Sequence, residues 1–166
     1  MTPVRMAGVF AGLVTRGRTM AALLFAALMA GTLLAPVPSA QASTRAYPRL
    51  VALGWALSQA GKPYIYGGTG PGGYDCSGLV YAAYRHAGIT LPRTTQQMLA
   101  SGRFGRTSTP RRGELAFYGS GHVELVTGLS HVTFGALHSG TLLGWHRWYA
   151  GSSWRPTAYL YVRGAH

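Results

Sequence analysis

The chain contains one cysteine, Cys76, in a setting that favours nucleophilic chemistry. It follows a loop, residues 67–74, with five glycines and one proline, which leaves the backbone open to a bound group. Apolar residues then recur from Cys76 at helical spacing until Gly88, so the pattern predicts a helix that begins at the cysteine. Helix starts favour the thiolate, the reactive form of cysteine. Cys76 is therefore a candidate nucleophile, and its N–H a candidate oxyanion donor. The alternative is an inert, packed cysteine.

A thiolate needs a base, and His122 is the candidate. It follows Gly119, Ser120 and Gly121 and opens a predicted strand, so its imidazole can project from a sheet toward the head of the cysteine helix. Such a pair performs acyl transfer, in which the thiolate attacks a carbonyl, the histidine protonates the leaving amine and water releases the acyl group. Taken alone, His122 also fits a structural, hydrogen-bonded histidine.

The elements that must position this pair are helices first and strands afterwards. Helical spacing predicts a first helix over residues 50–60, and Thr94 or Thr95 predicts the start of another that ends at Ala100. A polar linker is expected at residues 101–113. The period then changes to two, which predicts about five short strands at residues 114–118, 122–127, 131–137, 141–149 and 158–162. This order favours an α+β domain with an antiparallel sheet.

The N-terminal region has the pattern of an export signal. Basic residues precede an almost wholly apolar run at residues 21–35, and small residues at 40–42 supply a cleavage site. The apolar run is shorter than the roughly 20 residues that span a bilayer, so we expect a cleaved signal and no stable membrane span. The predicted organisation is a signal peptide at residues 1–42, a short lead at 43–48 and one domain at 49–166.

The charge balance indicates the kind of surroundings that the protein meets. The formal net charge is +12, and removal of the three arginines in residues 1–42 leaves +9, with Asp75, Glu114 and Glu124 as the only acidic residues. An exported protein of this charge is expected to bind anionic wall polymers rather than nucleic acid, for which no motif is present. Neither a His-Glu-x-x-His sequence nor paired cysteines occur, so we predict no metal and no cofactor.

Several sequence blocks together resemble the NlpC family of cell-wall cysteine endopeptidases. They follow the family's order and are residues 64–68 (YIYGG), 74–80 (YDCSGLV), 91–94 (LPRT), 113–118 (GELAFY) and 121–123 (GHV). The resemblance implies a papain-like α+β fold whose cysteine heads a helix packed on the histidine-bearing sheet. It also implies cleavage of peptidoglycan stem peptides, typically between D-γ-glutamyl and a diamino acid.

The resemblance assigns roles to individual residues. Cys76 is the nucleophile and His122 the general base and later acid. A third polar residue orients the imidazole in the family, and here both His131 and His138 lie in plausible strands beyond it. We favour His138, because the family's spacing from the catalytic histidine usually exceeds ten residues.

The same resemblance assigns Tyr66, Asp75 and Ser77 to substrate binding. The alternative for Tyr66 and Asp75 is that they satisfy backbone groups of the glycine loop.

Two positions depart from the family pattern. Glu124 stands where the family usually has glycine, and strand alternation places it on the same face as His122. A carboxylate there would raise the pKa of the histidine or narrow the choice of substrate, so we group Glu124 with the substrate-binding residues. The alternative is an exposed strand residue. Glu114 stands where the family usually has aspartate.

These observations predict a secreted, cell-wall-associated peptidoglycan hydrolase that acts as a monomer. Two other functions stay open. One is a wall-binding module without catalysis, and the other is an amidase or transacylase built on the same cysteine and histidine.

Overall fold

The computed structural model describes residues 46–166, so the predicted signal peptide lies outside the described residues. Three helices come first: α1 (Pro48–Leu57), α2 (Cys76–His86) and α3 (Thr95–Ala100). None of these three helices has the length and apolar character that a membrane crossing requires. α1 starts two residues earlier than predicted because Pro48 fits the first helical turn, where no N–H is needed.

The strands form one antiparallel sheet of six: β1 (Phe104–Thr107), β2 (Leu115–Tyr118), β3 (His122–Val126), β4 (Val132–Gly135), β5 (Gly144–Arg147) and β6 (Ala158–Val162). Their order in the sheet is β1-β6-β2-β3-β4-β5. The predicted α+β class is confirmed, but the prediction of a polar linker at residues 101–113 was wrong. β1 lies in that segment and pairs with β6 at the edge of the sheet. Its sequence, FGRT, has no apolar alternation, so periodicity could not reveal it.

The two faces of the sheet have different surroundings. One face joins the helices in a buried core that includes Ala52, Leu79, Val80, Ala83, Leu115, Phe117, Val123, Leu125 and Phe134. Because side chains alternate along a strand, the opposite face of β3 carries His122 and Glu124. α2 packs against β3, which brings the start of the cysteine helix near the start of the histidine strand.

Candidate active site

Cys76 is the first residue of α2, as predicted, and its helix start is fixed by local contacts. The Asp75 side chain caps the helix by accepting a hydrogen bond of 2.6 Å from the Gly78 amide. Gly78 is required because a Cβ there would lie 2.0 Å from the carbonyl oxygen of Gly68. The glycine loop therefore packs directly on the first turn of α2. Cys76 is 8% exposed at this point.

Arg93 ties the glycine loop to the helix start through Asp75 and Ser77. Its Nη2 lies 2.7 Å from Asp75 Oδ2, and its Nη1 donates to Asp75 Oδ1 at 3.0 Å and to Ser77 Oγ at 2.9 Å. Asp75 Oδ2 also accepts from the Gly67 amide at 2.9 Å. Asp75 and Ser77, two of the predicted substrate-binding residues, are thus buried and occupied by contacts within the protein. Their polar groups hold the loop and the nucleophile in place.

A cleft of about 350 Å³ opens above the thiol. Its lining includes Tyr66, Cys76, Arg93 and Gly121. Tyr66 is 89% exposed, so its ring is free to meet a ligand. A groove of about 410 Å³ elsewhere is lined by residues such as His131 and Trp148, but Cys76, the cysteine of the chain, does not reach it. The smaller cleft is therefore the candidate substrate site.

His122 begins β3 beside the thiol. The carbonyl of the preceding Gly121 lies 4.0 Å from Cys76 Sγ, which brings the start of β3 against the start of α2. Aromatic neighbours restrain the imidazole, with ring centroids 5.4 Å away for Tyr118 and 5.2 Å for Trp154. Tyr118 and Trp154 stack on each other at 4.6 Å. His122 as a whole is 8% exposed, so contacts within the protein set the orientation of its ring.

The thiol and the imidazole change each other's ionisation. Burial raises the pKa of Cys76, but the hydrogen bond and charge of His122 lower it more, and the net pKa is below the ordinary value. Burial lowers the pKa of His122, but its hydrogen bonds to Cys76 and Glu124 and their charges raise it to about 9. His122 is therefore an imidazolium near neutral pH, and its charge favours the thiolate of Cys76, the form in which cysteine is nucleophilic.

Glu124 lies under the imidazole and is fully buried. Its Oε1 is 3.2 Å from His122 Nε2, close enough for an ion pair but off the line of a straight hydrogen bond. His146 Nδ1 lies 2.5 Å from the same oxygen, and Thr133 Oγ1 donates to Oε2 at 2.5 Å. Burial raises the pKa of Glu124, but the close contact with the His122 imidazole and the hydrogen bonds from His146 and Thr133 lower it to about 2. The group is therefore a carboxylate at neutral pH.

The geometry corrects two expectations for the site. His138 does not contact His122, because it lies beyond the end of β4 in an exposed turn, where its Nδ1 is 2.8 Å from the Ser139 carbonyl oxygen. His131 is also exposed and packs on Trp148. Glu124 faces the protein interior instead of the cleft, so it does not line the substrate site.

Sequence reasoning missed His146 as a member of the site. This residue lies on β5, paired with Thr133 of β4. Its side chain reaches across β4 to Glu124 on β3. Alternation within β5 separates His146 from the exposed Trp145 and Arg147, but no local signal links it to β3. Within residues 46–166, no group of three or more His, Cys, Asp or Glu side chains is arranged to hold a metal ion.

Comparison with known proteins bears on this site. The model of the NlpC/P60 family matches residues 61–139, which confirms the resemblance seen in the sequence blocks. A probable endopeptidase of Corynebacterium glutamicum (strain R) is 39% identical over 114 residues, or 68% of this chain and 54% of the relative. The chain thus spans about half the length of the curated relative.

Two solved structures from Mycobacterium tuberculosis are similar in fold. The peptidoglycan hydrolase RipB is 27% identical with a TM-score of 0.57, over 72% of this chain and 65% of RipB. RipD, described as a non-catalytic NlpC/p60 domain protein adapted to peptidoglycan binding, is 31% identical with a TM-score of 0.55, over 70% of this chain and 97% of RipD. The likeness therefore extends to a hydrolase and to a binding protein.

Proposed function

Because the chain belongs to the NlpC/P60 family, we propose that it is a secreted cysteine endopeptidase that cleaves peptidoglycan stem peptides at the D-γ-glutamyl–diamino acid bond. One observation carries the proposal: a thiol at a helix start, its pKa lowered by a histidine, faces an open cleft. Without a histidine beside it, Cys76 would be an inert, packed cysteine.

The reaction follows from the positions of the donors. The Cys76 thiolate adds to the amide carbonyl, and the imidazolium of His122 gives its proton to the leaving amine. Asp75 occupies the Gly78 amide, whereas the Cys76 amide, in the same first turn, has no partner within the helix. That N–H is the donor for the oxyanion. Water, deprotonated by the neutral imidazole, then adds to the acyl carbon, and breakdown of the adduct releases the acid and restores the thiolate and the imidazolium.

Substrate contacts come from the mouth of the cleft and from charge. Tyr66 is the most exposed of the predicted contact residues and supplies an aromatic wall for the stem peptide. Asp75 and Ser77 line the same cleft and act mainly through the loop that they hold. The formal charge of +9 that remains without residues 1–42 favours retention on anionic wall polymers after export.

A second candidate is a wall-binding module without catalysis, and the likeness to RipD is the observation that favours it. The two candidates share a cleft and a substrate and differ in turnover. The coupled Cys76 and His122 support the enzyme, because binding alone needs no thiolate.

Turnover of purified peptidoglycan by the wild type, Cys76→Ala and His122→Gln decides between them. Mass spectrometry of the soluble products should show new diamino-acid amino termini for the wild type alone. His138→Gln is the matched control, since that histidine is exposed and does not contact the site, and it should cleave at the wild-type rate. Unchanged cleavage by Cys76→Ala would end the proposal. Products cut at the glycan–peptide junction would identify an amidase, and products with an added amine a transacylase.

A further inference from the structure

A carboxylate on the histidine's own strand occupies the position from which the imidazole can be oriented. Residues two apart on a strand share a face, so Glu124 lies beside His122. The register of β3 and β4 pairs Leu125 with Phe134, which puts Glu124 opposite Gly135 one step further along. Glu124 therefore reaches under the imidazole from β3, across the backbone of β4.

Gly135 supplies the space that this carboxylate needs. A Cβ at residue 135 would lie 2.7 Å from Glu124 Cγ and 2.9 Å from its Oε1, closer than side-chain atoms approach. Gly135 is outside the group of residues with positive φ, so its backbone does not itself require glycine. The reason for glycine at this position is the side chain opposite it. Glu124 and Gly135 thus form a complementary pair.

Three further strands hold the carboxylate in place, β4 and β5 directly and β2 through Thr133. Thr133 of β4 donates to Oε2, and the Tyr118 hydroxyl of β2 lies 2.9 Å from Thr133 Oγ1. His146 of β5 lies against Oε1, the same oxygen that faces His122. An unpaired buried carboxylate would be strongly destabilised or would take up a proton. These partners keep it charged and fix the direction of its oxygen.

We propose that Glu124 is the positioning residue for His122. Thr133 and His146 anchor its carboxylate, and Gly135 of β4 leaves the space that the Glu124 side chain occupies. The role expected of His138 thereby passes to a residue of the histidine's own strand. Glu124 holds Nε2, which leaves Nδ1 for the thiol. The proton moves from the Cys76 thiol to Nδ1 and on to the leaving amine, while Glu124 stays ionised and stabilises the imidazolium between the two transfers.

This inference rests on the proposed function, so its test has a readout that needs no substrate. Iodoacetamide alkylates the thiolate, and the rate of Cys76 labelling against pH reports the thiolate–imidazolium pair. Glu124→Gln keeps the shape but removes the charge. It should raise the pH midpoint of labelling by about one unit and lower the rate at pH 7 about tenfold. On defined muropeptides, kcat should fall about 100-fold, with KM within about twofold.

The chain offers a matched control in Glu114→Gln. Glu114 is 3% exposed and accepts a hydrogen bond from the Arg111 amide, remote from the thiol. Its variant should label and cleave like the wild type. Thr133→Val is a second, milder variant, which removes the donor to Oε2 and preserves a branched side chain. It should lower kcat about three- to tenfold, and it tests the proposal even where Glu124→Gln fails to fold.

The outcomes separate the two proposals. A folded Glu124→Gln with the labelling profile and kcat of the wild type would overturn the role of Glu124. With Glu124→Gln unfolded, the same result for Thr133→Val would overturn it. A wild type that cleaves no muropeptide would refute the endopeptidase, and the labelling curves would still decide whether Glu124 supports the imidazolium.

Discussion

The buried carboxylate at Glu124 predicts how stability depends on pH. Its pKa falls from 4.5 to about 2 on folding, because the contact with His122 and the hydrogen bonds from His146 and Thr133 outweigh burial. A folded-state pKa below the unfolded one stabilises the protein above the unfolded value, and this stability is lost as pH falls toward the folded value. Glu124→Gln removes the titrating group. The difference in unfolding free energy between wild type and variant therefore reports the carboxylate.

The magnitude follows from linkage. With pKa values of 4.5 unfolded and about 2 folded, the ionised carboxylate contributes about 3 kcal/mol at pH 5.5 and about 1.5 kcal/mol at pH 3. The difference in unfolding free energy between wild type and Glu124→Gln should therefore shrink by about 1.5 to 2 kcal/mol from pH 5.5 to pH 3. The pKa of His122 is raised to about 9 in part by the same contact, so its share is fully present below pH 6.5 and is lost as pH rises through 9. The difference in unfolding free energy therefore rises with pH in the acidic range, where Glu124 ionises, and falls again as His122 loses its proton.

Urea denaturation at pH 3, 5.5, 7 and 9.5 measures this curve. All other ionisable groups are common to both proteins, so the comparison isolates residue 124. Glu114→Gln serves as the second variant, and its difference from the wild type should lack the alkaline limb, because no ion pair joins Glu114 to a histidine within residues 46–166. A difference between wild type and Glu124→Gln that stays constant from pH 3 to pH 9.5 would refute the reasoning, since lost packing alone does not depend on pH.

Two further predictions concern the start of α2. Gly78→Ala puts a Cβ 2.0 Å from the Gly68 carbonyl oxygen, so it should destabilise the fold by about 3 kcal/mol and slow Cys76 labelling. A variant with the melting temperature of the wild type would contradict this packing. Arg93→Lys loses the paired contacts to Asp75 and should lower the free energy of unfolding, measured by urea denaturation, by about 1 to 2 kcal/mol. The control Arg106→Lys, at an exposed position, should leave it unchanged. Equal stability of the two variants would argue against a stabilising role of the Arg93–Asp75 contacts.

The sequence was sufficient where the signals are local. Apolar spacing after Cys76 and Gly88 at the far end predicted a helix that starts at the nucleophile, and the structure adds the Asp75 cap. Period-two patterns located five of the six strands and the face that His122 shares with Glu124. Each of these signals acts over a few residues, so the composition of a short segment carries it.

The partners of His122 were decided only by the tertiary structure. Spacing along the chain favoured His138, but the turn after β4 carries that side chain to the surface. His146 is 22 residues from Glu124 in sequence and contacts it because β5 pairs with β4 and β4 with β3. A strand's period fixes which face a residue occupies, whereas strand order and register fix its neighbours. Those depend on the packing of the whole sheet, and so does the space at Gly135.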